Sequence, residues 1–136
     1  MRTAIWLLLA LASAAACAQA PWSPGRELAC GTQVACLTDA ELATLVGKRL
    51  VYRHPRGFGD VVLDVRRDGT LAARNSRGSG GSGPYRFEQG VVVAQLSRWG
   101  ESRFRFVRLG RDQLAVILSR YVEAVVPVAV TELPDR

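Results

Sequence analysis

Few side chains in this 136-residue chain have the type and spacing that chemistry needs. His54 is the sole histidine, and an imidazole titrates where a general base must. Ser76, Ser79, Ser82, Ser97, Ser102 and Ser119 are available as nucleophiles, yet no spacing pairs any of them with His54. The carboxylates Asp60, Asp64 and Asp68 recur every fourth residue. On a strand Asp60 and Asp64 share a face about 13 Å apart, at roughly 3.3 Å per residue, so they suit neither a metal site nor a glycosidase pair. Asp68 is better used by a turn. Gly78 to Gly83 matches G-x-G-x-x-G, but that motif holds phosphate only where its glycines open a helix. The next residues, Pro84-Tyr85-Arg86-Phe87, read as a strand. The glycine stretch therefore reads as a flexible loop.

Cys30 and Cys36 enclose five residues that include Gly31. In an oxidising compartment such a pair is most simply a disulfide. A redox motif would need two intervening residues, and a zinc site more ligands than His54 supplies. Closing so short a loop stabilises by about 2 kcal/mol from chain entropy. No catalytic residue, metal or cofactor is expected, and the chain reads as a non-enzyme.

What remains is arginine on alternate positions. Arg66, Arg86, Arg103 and Arg105 point away from the aromatic side of their strands. If those strands are neighbours they form a positive stripe, to which Arg77, Arg98 and Arg108 can add, and an anionic partner would bind there. The net charge is +6, falling to +5 without Arg2, and every basic residue but Lys48 is Arg.

The amino terminus sets the compartment. Arg2, an apolar run from Ala4 to about Ala16 and small residues ahead of Gln19 form a secretory signal, too short to span a bilayer. Cleavage after Ala18 is preferred, because cleavage after Ala20 places Pro21 next to the scissile bond, and it leaves 136 − 18 = 118 residues. That suffices for one core. Ala14-Ala15-Ala16-Cys17 also resembles a lipobox, so lipidation at Cys17 is the alternative. The chain is thus expected in the periplasm or outside the cell, or anchored to the envelope by that lipid. Membrane attachment is expected only by that lipid. Nucleic acid is not an expected partner; an anionic envelope component or acidic protein is.

Local signals divide the chain into the elements that carry these side chains. Residues 19–36 form a linker and disulfide loop, and residues 37–136 one β-barrel domain. Thr38 and Glu41 make a capping box, Leu37 and Leu42 a hydrophobic staple, and Gly47 a stop, which predicts a helix over 38–46. From Lys48 the pattern has period two. Strands are expected over 49–54, over the two arms of 60–74 that turn at Asp68-Gly69, and over 84–88, 91–96, 103–109 and 113–119. One or two more lie within 121–130, where Pro127 belongs at an edge or bend. The loop 75–83 joins the third to the fourth. The result is a mainly β fold: one antiparallel up-and-down meander of seven or eight strands closing as a small barrel behind one short helix. Tyr52, Tyr85, Phe87, Phe104 and Phe106 are its expected core.

A short helix, then Gly47 leading into a meander over about Thr38 to Ser119, resembles the small lipocalin-like (calycin) barrels of bacterial envelopes. The family's Gly-x-Trp is Gly47-Lys48-Arg49 here, and no binding residue carries over. The functional expectation is an exported accessory module that binds an anionic partner. A secreted hydrolase inhibitor, above all of proteases, and a carrier of a small apolar ligand are the alternatives.

Overall fold

The computed structural model describes residues 35–118 and 124–134. The expected signal sequence and its cleavage site, Cys17 and Cys30 lie outside that range.

The Asp68-Gly69 hairpin forms as its residues dictate. β3 (Gly59–Val65) buries Val61, Leu63 and Val65, and β4 (Thr70–Asn75) buries Leu71 and Ala73. Gly69 takes a φ of +88°, which costs glycine least. One Asp68 carboxylate oxygen accepts from the Thr70 N–H at 2.9 Å and from its hydroxyl at 2.6 Å. Those two donors, the hydroxyl first, hold the Asp68 carboxyl below its ordinary range.

β2 (Lys48–His54) and β7 (Gly100–Leu109) follow with their own inward rows, while β6 (Val91–Leu96) and β8 (Gln113–Leu118) carry runs buried on both faces. The ladder runs β10-β2-β3-β4-β5-β6-β7-β8-β9, with every pairing antiparallel. Its two ends, β9 (Ala124–Pro127) and β10 (Ala129–Glu132), are separated by Val128 alone. β9 pairs with β8 and β10 with β2, so one bent strand returns the sheet onto itself as a barrel. Pro127 and Val128 sit at the bend; Val128 is buried, and its N–H donates to the Leu114 carbonyl at 2.8 Å.

The glycine stretch corrects the expected loop. Only 76–79 turn; β5 (Gly80–Glu88) is a nine-residue strand. Its first half, Gly80–Pro84, pairs with β4 and its second, Tyr85–Glu88, with β6, which makes it the barrel's second corner. Neighbouring backbone crowds this corner. A Cβ on Gly80 would stand 2.1 Å from the Ala73 carbonyl oxygen, and one on Gly83 1.6 Å from that of Gln95. These glycines make room for close backbone approach and do not supply flexibility.

At the amino-terminal side, β1 (Ala35–Cys36) pairs with β7, an element the sequence pattern did not suggest. Cys36 is not a free thiol. The capping box is present at Thr38 and Glu41. The α-helix α1 covers Asp39–Ala43, shorter than the expected 38–46. Beyond it, Thr44, Leu45 and Val46 bond three residues back, to Glu41, Leu42 and Ala43. This tighter winding leads to Gly47, whose φ is +83°, and brings Leu45 onto the core. Thr38→Ala is expected to lower stability by about 1 kcal/mol, read from a urea unfolding curve; no change would mean that the cap contributes nothing.

Leu42, Leu50, Leu63, Leu71, Phe106 and Val116 lead one continuous inward cluster that includes Tyr52 and Phe104, with Tyr85 and Phe87 packed against it. Burial pushes the Tyr52 phenol well above its ordinary pKa. β6 is buried on both faces from Val91 to Ala94. A smaller cluster of Val107, Ala115 and Ile117 adjoins Cys36 and Leu109.

Candidate functional site

Three of the four singled-out arginines come together. Arg86 and Arg103 both stand opposite Val93, so they flank it in one row across β5, β6 and β7. Arg105 is in the adjacent row, opposite Val91, which faces Glu88 on its other side. Val92, Ala94, Phe104 and Phe106 point into the core cluster, so strand alternation puts these arginines on the outer wall. Arg66 does not join them. It lies in the β3–β4 turn, where its N–H bonds the Thr70 carbonyl and its own carbonyl accepts from the Tyr85 hydroxyl at 3.0 Å.

The wall is not a bare positive stripe. Arg86 pairs with Glu88 at 3.0 Å and Arg103 with Glu101 at 3.1 Å, each along its own strand. Both arginine side chains remain about half exposed, at 56% and 49%. Ion pairs this exposed contribute about 0–1 kcal/mol, little enough to be exchanged for a partner's anions. Arg105 is half-buried in a cleft with Thr38, Asp39 and Gln89. Among the added arginines, Arg108 pairs with Glu41 across the helix end of the barrel. That pairing, ahead of the Thr38 N–H, holds the Glu41 carboxyl below its usual range.

The remaining polar candidates have structural work. His54 Nδ1 accepts the Arg56 N–H at 3.1 Å, and its ring meets Phe58 edge-on at 4.7 Å. Burial, and then the charge of Arg56, lowers its pKa. Ser76 Oγ accepts the Asp60 N–H, Ser79 Oγ the Trp99 indole N–H and Ser97 Oγ the Ser82 N–H. Asp60 pairs with Arg53 at 3.3 Å. Among the described residues no three His, Cys, Asp or Glu side chains gather as metal ligands would.

Two arrangements were not evident from the sequence. Asp64 faces outward on β3, yet it is 6% exposed. Arg49, directly opposite on β2, grips both its oxygens at 2.7 and 3.0 Å, and Arg74 approaches from β4 at 3.7 Å. An outward acid flanked by arginines on both neighbouring strands was the available signal, but only once register was known. The second arrangement is at the barrel end away from α1, where Arg77 lies 5.3 Å over the Phe58 ring and Trp99 reaches Ser79.

Comparison with protein families, curated proteins and solved structures found no match. None of the three supports the lipocalin-like resemblance, which remains an expectation drawn from the order of elements in the sequence.

Proposed function

We propose that this is an exported, non-enzymatic accessory module of the bacterial envelope, and that it engages an anionic partner through the wall carrying Arg86, Arg103 and Arg105. The observation that carries the reading is the register that sets Arg86 and Arg103 on either side of Val93, about half exposed and each in a surface ion pair along its own strand. Guanidinium groups so placed can exchange Glu88 and Glu101 for carboxylate, sulfate or phosphate oxygens, which they grip in bidentate fashion. The filled interior favours a surface function over carriage of an apolar molecule. A bridge from Cys36 to Cys30 belongs to the same reading, as the clamp that fixes β1 and α1 against this wall.

The test uses an immobilised acidic polysaccharide as the anionic probe. Replacing Arg86, Arg103 and Arg105 together with Gln should release the protein at lower salt and flatten the salt dependence of binding. Unchanged retention would sink the assignment of this wall.

A further inference from the structure

Among the described residues, three hairpins end at the barrel rim opposite α1: residues 55–58 between β2 and β3, 76–79 between β4 and β5, and 97–99 between β6 and β7. Each carries one exposed arginine, Arg56, Arg77 and Arg98, spaced by 77 − 56 = 21 and 98 − 77 = 21 residues. The dipeptide Ser-Arg stands in two of these hairpins, at Ser76-Arg77 and Ser97-Arg98; it occurs also within β7 at Ser102-Arg103 and, outside the described residues, at Ser119-Arg120. Among the described residues none of the three meets a carboxylate; the nearby acids Asp60 and Glu101 pair with Arg53 and Arg103. Most other described acids belong to the opposite end: Asp39 and Glu41 on α1, Asp68, Glu88 and Asp112 at its turns, and Glu132 against Lys48. The α1 end also holds Lys48, Arg66, Arg67, Arg108 and Arg111, which offset those acids, so the rim opposite α1 is the more positive end of the barrel.

The rim is also built. Asp60 N–H to Ser76 Oγ, at 2.9 Å, and Arg77 over Phe58, at 5.3 Å, tie the first hairpin to the second. Trp99 Nε1 to Ser79 Oγ, at 3.0 Å, and Ser82 N–H to Ser97 Oγ, at 3.3 Å, tie the second to the third. Strands about 4.8 Å apart place successive arginines on the order of 10 Å from one another. At the tips Gly57, Gly78 and Gly100 have nothing within 4 Å of where a Cβ would be, so the backbone there is open to an approaching surface.

We propose that this rim is an electrostatic docking surface for an anionic phospholipid bilayer. It is distinct from the side wall of Arg86 and Arg103 and independent of any lipid at Cys17. Three guanidinium groups on adjacent tips of one barrel end can meet lipid phosphates together. A single linear polyanion would have to follow the curve of the rim. Trp99, half-buried just behind the tips, is of an amphipathic aromatic type that settles at headgroup depth.

The experiment is co-sedimentation of the protein, recovered from the envelope of an expressing bacterium, with two vesicle types: phosphatidylcholine alone, and phosphatidylcholine with phosphatidylglycerol. The readout is the ratio of the two affinities, which cancels any contribution common to both. The wild type should prefer the anionic vesicles and lose that preference in high salt. Arg56→Gln, Arg77→Gln and Arg98→Gln should each reduce the ratio about fivefold, and together on the order of a hundredfold. Unchanged melting temperatures would show that the variants are folded. The triple Gln variant at Arg86, Arg103 and Arg105 should keep the preference. A rim variant that keeps it, or equal binding to both vesicles, would overturn the proposal. So would rim-dependent binding of inorganic polyphosphate without vesicle binding. Loss of polysaccharide retention through the wall, with vesicle preference intact, would separate this surface from the one proposed above.

Discussion

Gly83→Ala should destabilise the barrel by on the order of 4 kcal/mol or more, an exceptional loss for one methyl group. The new Cβ would stand 1.6 Å from the Gln95 carbonyl oxygen and 2.8 Å from its carbon. Both atoms are backbone, and no rotamer change relieves the overlap. Either β5 separates from β6 or the corner opens, and both expose core. Gly78→Ala is the control. It has open space and a φ of +76°, so its cost is the left-handed backbone penalty of about 1–2 kcal/mol. Urea unfolding of the two variants measures the difference; equal losses would mean that the corner is pliable and the glycines are interchangeable.

Phe106→Ala should cost about 3–5 kcal/mol. Phe106 is 1% exposed and sits on β7 in the inward cluster with Leu50, Leu63 and Val116. The close-packed walls of a barrel collapse poorly onto a void, so most of the lost contact stays lost. Chemical denaturation gives the value, and uptake of a small apolar dye by the variant but not the wild type would confirm that the space is new. A loss under about 2 kcal/mol, with dye already bound by the wild type, would instead mean that the barrel carries a ligand.

What the sequence made legible was local. The capping box at Thr38 and Glu41, the Asp68-Gly69 turn and the limits of Val91–Leu96 depend on residues within a few positions of one another. The structure agrees with each. The meander could be inferred because its links are short. The glycine strand was not legible, because flexible loops and crowded strand corners share a composition, and only the positions of Ala73 and Gln95 tell them apart. The arginine wall was half legible. Alternation places Arg86, Arg103 and Arg105 outward, but their relation to Val93 and Val91 depends on register. Arg66 fell outside it because β3 ends at Val65, one residue before the parity argument can reach it. The buried Asp64 was hidden for the same reason: two arginines on separate strands meet it only after pairing.

The bent strand β9–β10 also sets the order of assembly. Its contact with β2 joins residues as far apart as Lys48 and Glu132, 84 positions in sequence, whereas every other strand of the meander meets its sequence neighbour. Chain entropy favours zipping the hairpins first and makes this long-range closure slow. Until it happens, β2 and the β9–β10 strand each present an unpaired edge, the kind of template on which chains join to one another. The interval before closure is thus when this protein is most exposed to self-association, and a chaperone that shields β2 or the β9–β10 strand would protect it most.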